Sequence, residues 1–381
     1  MIARAAAIAG IGATEFSKDS GRSELRLAVE AVRAALDDAG LRPSDVDGLT
    51  TFSMDDTAEI AVAREIGAGP LTFLSRIAYG GGAACAVVQQ AVLAVTAGIA
   101  RTVVCYRALN ERSGRRFGRA SVPPGPDASW HHPMGLATPA AQVAMVAQRY
   151  LHDYGATTDD FGRVTVAARR HAATNPAAWF HGRPITLADH RASRWIAEPL
   201  RLLDCCQESD GAVALVVTSL ERARDLRRAP AVVCAAAQGS APDQFVMTSY
   251  YRDDLAALPE MGVVARQLWE QSGFGPADVR AAVLYDHFTP YVLMQLEELG
   301  FCGRGEARHV IAEDRLPINP HGGQLGEAYI HGMNGIAEAV RQVRGTAVNQ
   351  VPGDGPVLVT AGTGVPTSGL ILSGVRPPAG P

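Results

Sequence analysis

The sequence predicts a layered α/β protein made of two similar halves with a site between them, and three observations carry that prediction. Short apolar runs alternate with amphipathic ones along most of the chain, the rhythm of strands packed against helices. A glycine-rich loop feeding a helix occurs once in each half: Tyr79 to Cys85 before Ala86–Ile99, and Asn319 to Gly323 before Ile336–Val343. The length of 381 residues, with 47% apolar and 19% charged residues, suits two to three packed units around a large core.

Ala5 to Ile11 is apolar and ends in glycines, so it reads as a strand. Ser23 to Ala39 repeats apolar residues at helical spacing (Leu27, Val32, Ala35, Leu36), and Gly40 stops it. Val46–Phe52 reads as a strand edge and Thr102–Tyr106 as a buried strand. Ser113 to Pro139 breaks the rhythm with Gly, Pro, Arg and His, including Pro123 and Pro124. Helices resume at Ala140–Tyr154 and Thr158–Ala173, and residues 113–203 read as an inserted loop domain. Ala212–Thr218 and Ala229–Ala237 are strands, and Ala257–Ser272 and Tyr291–Leu299 are helices. Val279–Tyr285, Val357–Thr360 and Gly369–Ser373 complete the strands. The halves divide as 1–225 and 226–381, with the change-over in the arginine-rich stretch Arg222–Ala229.

The net charge of −4 and the lack of a basic face with interleaved aromatics exclude nucleic acid as partner. No apolar run reaches the ~20 residues of a membrane span, and the first sixteen residues read as a strand, not as a signal peptide. Six scattered cysteines without a CxxC predict reduced thiols in the cytoplasm and no metal site. Arg112, Arg115, Arg116 and Arg119 form a small cluster, readable as a solvated loop or as a contact for the phosphates of coenzyme A.

The run from Asn319 to Gly332 (NPHGGQLGEAYIHG) resembles the Asn-Pro-x-Gly-Gly…Gly-His-Pro-x-Gly block of the thiolase superfamily. Asp210-Gly211-Ala212 before a strand is also similar to that family. Asp286-His287-Phe288 stands where sterol-carrier-type thiolases have His-Asp-Cys-Phe, and Thr360 to Gly364 where thiolases have Cys-x-Gly-Gly-Gly. The resemblance covers nearly the whole chain. It implies a duplicated thiolase fold: α/β/α/β/α layers, two mixed five-stranded sheets and the inserted loop domain. It also implies a homodimer, paired through an edge strand after the nucleophile helix, which places Thr102–Tyr106 near the two-fold axis.

The departures point to a narrower group. Cys85 falls at the nucleophile position, but its flanks differ from the family pattern. Tyr329 replaces the His of Gly-His-Pro, Tyr285 the oxyanion-hole residue, and Ala361 the second Cys. This pattern resembles the lipid-transfer-protein-like thiolase homologues of actinobacteria, which include aldolases that cleave steroid side chains as CoA thioesters. The resemblance implies tyrosine-based catalysis, and a small OB-fold partner, often with a zinc ribbon.

Tyr285, Tyr329 and His287 are therefore the candidate catalytic residues. Cys85, His321, Gly322, Gly323, His331 and Tyr250 are candidates for substrate binding. A retro-aldol cleavage of a β-hydroxyacyl-CoA needs a base, an acid and a group that stabilises the enolate, and two tyrosines with a histidine can fill these roles. It needs no cofactor beyond the CoA of the substrate. Two other functions stay open: a thiolase-like acyltransferase working through Cys85, and a non-catalytic acyl-CoA or lipid-binding subunit.

Overall fold

The computed structural model describes residues 4–52, 57–78, 80–114, 116–119, 131–244, 247–363 and 366–375. Tyr79, Arg115, Pro123, Pro124 and Gly364, named above, lie outside the described residues. In chain order the structure runs β1 (Ala6–Ala13), α1 (Glu24–Ala39), β2 (Gly48–Phe52), α2 (Glu59–Ile66), β3 (Phe73–Ile77), α3 (Ala84–Thr96) and β4 (Thr102–Asn110). Next come α4 (Pro139–Tyr154), α5 (Thr158–Thr174), α6 (Leu187–Ala192), a small hairpin of β5 (Trp195–Ala197) and β6 (Leu200–Arg201), β7 (Asp210–Ser219) and α7 (Leu220–Ala223). The rest is β8 (Ala231–Gly239), α8 (Pro259–Ser272), β9 (Ala281–Val283), α9 (Thr289–Glu298), α10 (Ala307–Ala312), α11 (Gly323–Gly326), α12 (Met333–Arg344), β10 (Val357–Ala361) and β11 (Thr367–Ser373).

Local signals account for the best-matched elements. The Ser23 side chain caps α1 by accepting from the Arg26 N–H, and Gly40 ends the helix in the left-handed region at φ 74°. Its buried stripe of Leu27, Ala31, Val32 and Ala35 is the one its spacing predicts. Strand faces sort by alternation. In β7, Ala212, Ala214 and Val216 join the core beneath α1, while Val213, Leu215 and Val217 join the core around α3 and α12. A third core packs α4, α8 and α9 on the opposite side. Three apolar cores between outer helices, sheet, central helices, sheet and outer helices give the five layers of the α/β/α/β/α arrangement.

The expected pair of five-stranded sheets is corrected. The strands form one nine-stranded sheet in the order β3-β2-β4-β7-β1-β8-β11-β10-β9. β1 and β8 join its two parts through only two residue pairs, Ala7 with Val232 and Ile8 with Ala231. The second part has four strands, and the place of a fifth is taken by an isolated bridge between Ala282 and Ile318. Thr102–Tyr106 is also corrected as an edge: β4 is paired on both sides, with β2 and with β7. The edge on that side is β3, which sequence reading missed because Phe73–Ile77 alternates partly buried and exposed residues with no apolar run. Val46–Phe52 in turn is interior, between β3 and β4.

The outer helix α1 lies almost against the backbone of β1. A Cβ at Gly10 would sit 2.2 Å from the Ala35 carbonyl oxygen, and one at Gly12 would sit 2.3 Å from that of Ala31. These glycines set the helix-to-sheet spacing. Gly12→Val should lower unfolding stability by about 1–3 kcal/mol or more, the usual cost of overpacking. Equilibrium urea unfolding measures it, and an unchanged midpoint would show that α1 can move away freely.

Candidate active site

The residue before the Asp286-His287-Phe288 run is held from all sides. After β9 the chain turns, and Asn319 clamps the turn: its Oδ1 accepts from the Leu284 N–H at 2.8 Å and its Nδ2 donates to the Leu284 carbonyl at 3.0 Å. The Tyr285 N–H donates to Thr360 Oγ1, and its carbonyl accepts from Gln295 Nε2. Thr360 and Gln295 are themselves hydrogen-bonded at 2.6 Å. With its backbone fixed, the Tyr285 side chain enters a cradle made of glycine. A Cβ at Gly81 would lie 1.6 Å from the phenol oxygen, one at Gly332 would lie 3.0 Å from the ring, and one at Gly362 would lie 3.2 Å from it. The phenol therefore occupies space that a side chain at Gly81 would fill, just before the start of α3.

There Tyr285 meets Tyr329. Their phenol oxygens are 3.0 Å apart, the rings lie edge to face, and the Tyr329 N–H donates to Ser209 Oγ. Burial, followed by the neighbouring Tyr285, pushes the Tyr329 phenol well above the usual tyrosine range. His287 packs against Tyr285 with ring centres 4.8 Å apart, stacks on Tyr291 and pairs through Nε2 with Thr363 Oγ1 at 3.1 Å. Burial pushes His287 down to about 3, so it is neutral. His331 stacks on Phe117 and receives hydrogen bonds from Arg107 on β4. Tyr285, Tyr329, His287 and His331 all line one cavity of about 450 Å³ between the two parts of the fold.

The other expected binding residues sit elsewhere. Cys85 is fully buried and does not line the cavity; its Sγ faces the Val359 carbonyl at 4.0 Å. Burial pushes its thiol far up, because the apolar surroundings disfavour a thiolate. The lining at this point is the backbone of Gly80, Gly81 and Gly82. Gly322 and Gly323 do not line the cavity. Asp286 accepts from the N–H groups of Gln324 and Leu325, and a Cβ at Gly323 would lie 2.0 Å from its Oδ2. The Asn-Pro-x-Gly-Gly loop thus clamps the Tyr285 turn from behind the cavity. His321 is buried there too, beside Glu327, which accepts from Asn175 and Asn334; burial pushes His321 down to about 3 and Glu327 up to about 7. Tyr250 packs edge-on against His131, outside the cavity lining.

The structure adds residues that sequence reading missed. Lys18, Glu111 and Cys206 line the cavity, and Arg112 and Arg116 lie on the same wall. Lys18 donates to Gln207 Oε1 and to the Glu208 carbonyl, and burial pulls it down to about 8. Burial and nearby Glu208 push Glu111 well above the usual carboxylate range. The arginine cluster is the sequence feature that marks this wall; Lys18 and Glu111 stand in stretches without a motif.

Residues 245–373 match the thiolase C-terminal domain-like family. The 17-hydroxy-3-oxo-4-pregnene-20-carboxyl-CoA lyase of Mycobacterium tuberculosis is 67% identical over 98% of this chain and 100% of its own. The steroid side-chain-cleaving aldolase of Thermomonospora curvata is 66% identical over 98% of each chain. The solved Ltp2-ChsH2(DUF35) aldolase superposes with a TM-score of 0.95 at 65% identity, over 99% of both chains. Human mitochondrial 3-ketoacyl-CoA thiolase shares the fold, with a TM-score of 0.71 at 15% identity over 99% of this chain and 100% of that one.

Cys85 should be inert in the native protein. Iodoacetamide at neutral pH followed by mass spectrometry should leave Cys85 unmodified, while all six cysteines become alkylated in guanidinium chloride. Rapid native alkylation of Cys85 would contradict its burial.

Proposed function

Because the chain belongs to the thiolase superfamily, as one of its carbon–carbon lyases acting on acyl-CoA, we propose that it cleaves a steroid-like β-hydroxyacyl-CoA through Tyr285 and Tyr329. The observation that carries this reading is the 3.0 Å contact between the two phenol oxygens inside the cavity, with Cys85 buried out of reach. The steroid acyl group rests on the names of the two relatives that are 67% and 66% identical.

In this reading Tyr285 is the base. Its oxygen lies against Gly81 ahead of α3, where the positive end of the helix dipole favours a phenolate. Tyr329, held protonated, is the acid. Tyr285 takes the β-hydroxyl proton, and the C–O bond becomes a ketone as the Cα–Cβ bond breaks. The bonding pair enters the thioester as an enolate, and Tyr329 protonates it at Cα. Tyr329 then recovers a proton from Tyr285 across their hydrogen bond. One proton has moved from oxygen to carbon and the site is back at its start. The balance closes without an acyl-enzyme, a redox group or a cofactor beyond the CoA of the substrate. His287 orients the Tyr285 ring, and Arg112, beside Arg116 in its pair with Glu208, offers a charge for CoA phosphates.

A homodimer fits the edge strand β3, where Leu74 is exposed and Ile60 and Leu93 are exposed on the adjoining α2 and α3. A second protein, the small OB-fold subunit with a zinc ribbon, is supported by the 0.95 TM-score match to an aldolase whose name joins two components. No helix among the described residues is long and apolar enough to cross a membrane. Six free cysteines support a reducing, cytoplasmic setting. The acyltransferase alternative needs a thiolate at Cys85, and full burial opposes it.

Co-expressed with its OB-fold partner, the protein should release a ketone and a shortened acyl-CoA from a β-hydroxyacyl-CoA. Tyr285→Phe and Tyr329→Phe should each reduce kcat by about 10²–10⁴-fold. Cys85→Ala should reduce it by less than about tenfold, because no bond forms to the enzyme. A dead Cys85 variant beside an active Tyr329→Phe would make the protein an acyltransferase instead.

A further inference from the structure

His331 stands in an unusual position, both in backbone and in side chain. Its φ is 49°, a left-handed conformation that costs a non-glycine residue about 1–2 kcal/mol, and Gly332 follows at 84°. Such strain persists only where surrounding contacts fix it, and here they fix the ring. Phe117 stacks on it at 5.5 Å, and Phe52 and Tyr329 press on it at 6.0 and 5.0 Å. The ring is also met by a cation. Arg107 is fully buried in the middle of the sheet. Its Nη1 donates to the Phe52 carbonyl at 2.6 Å, and its Cζ lies 4.5 Å from the centre of the Phe52 ring. Its Nε and Nη2 both point at a single atom, Nδ1 of His331, at 3.1 and 2.8 Å.

A guanidinium has donors only and does not deprotonate in a protein. Nδ1 must therefore hold a lone pair, and the imidazole is neutral with its proton on Nε2. Burial, together with the adjacent guanidinium, also keeps His331 well below its usual range. Nε2 has no hydrogen-bond partner among the described residues, and His331 lines the cavity with Tyr285 and Tyr329. A neutral imidazole with a fixed N–H is a preorganised donor for an oxygen that gains negative charge.

We propose that Arg107 is a positioning residue that locks His331 as the Nε2–H tautomer, and that this N–H receives the thioester oxygen as it becomes an enolate. The inference rests on the retro-aldol reading and deepens it. His331 donates a hydrogen bond and loses no proton, so the balance drawn for the two tyrosines is unchanged. Arg107 never touches the substrate. It acts by denying the proton to Nδ1, and Lys at this position would lack the two-pronged donor.

The test uses the full chain with its partner protein and ¹⁵N-labelled histidine. Long-range ¹H–¹⁵N spectra at pH 7.5 should show His331 neutral and protonated on Nε2. Arg107→Met should give a mixture of tautomers and reduce kcat by about 10²–10³-fold, the usual value of one oxyanion donor, with KM changed less than about threefold. Arg107→Lys should fall between. A wild-type His331 protonated on Nδ1, or on both nitrogens, overturns the proposal, and this spectrum needs no variant to fold. So does a folded Arg107→Met enzyme with unchanged kcat. If the wild-type protein turns over no β-hydroxyacyl-CoA, the retro-aldol reading fails, and the assignment of His331 as a donor to an enolate fails with it. The tautomer spectrum still decides the lock between Arg107 and His331 separately.

Discussion

The placement of one phenol governs the rest of the site. Tyr285 can reach the start of α3 only because Gly81, Gly332 and Gly362 carry no side chains. Those three glycines come from three separate loops, one in the first part of the chain and two in the second. Each loop must be held to within a few tenths of an ångström for the fit to exist. The Asn319 clamp, the Thr360–Gln295 pair and the Asp286 contacts with the Gly-rich loop supply that precision. These buried polar side chains behind the cavity thus serve to aim a single side chain.

That arrangement also explains why Cys85 is buried. A thiolase-type cysteine needs a positive environment and access to substrate. In this protein the tyrosine takes the space beside the helix start, and Cys85 turns into the core toward Val359. The same low dielectric that suppresses the thiolate keeps His287 and His331 neutral and Tyr329 protonated. A site made of buried neutral donors suits an anion whose charge appears only during a reaction.

Much of the fold could be read in the chain. The helix Ser23–Ala39 declared its cap, its stripe and its stop, and the central helices after the two glycine loops were legible within a few residues. The half-exposed strand β3 was not, because its alternation is weak and its run is short. The single sheet was not either: only two residue pairs join its parts, and no local pattern encodes them. The Thr102–Tyr106 reading is four residues too short at its end. β4 runs on to Asn110 with Arg107 wholly inside, and a buried charge in a strand leaves no mark in an apolar pattern.

What the chain alone determined is what local chemistry and spacing specify: the layered α/β class, the glycine loops, and the replacement of thiolase residues by Tyr285 and Tyr329. Only the tertiary structure decided which residues share the cavity. His321, Gly322 and Gly323 sit in the most marked motif and lie behind it, while Arg107, Lys18 and Glu111 carry no motif. Lys18 and Glu111 line the cavity, and Arg107 reaches it through His331. Arg107 and His331 are 224 positions apart, and Tyr285 and Tyr329 are 44 apart. Contacts over such separations depend on how the strands order themselves in the sheet, and that order is set by packing of whole faces and not by any short stretch of sequence.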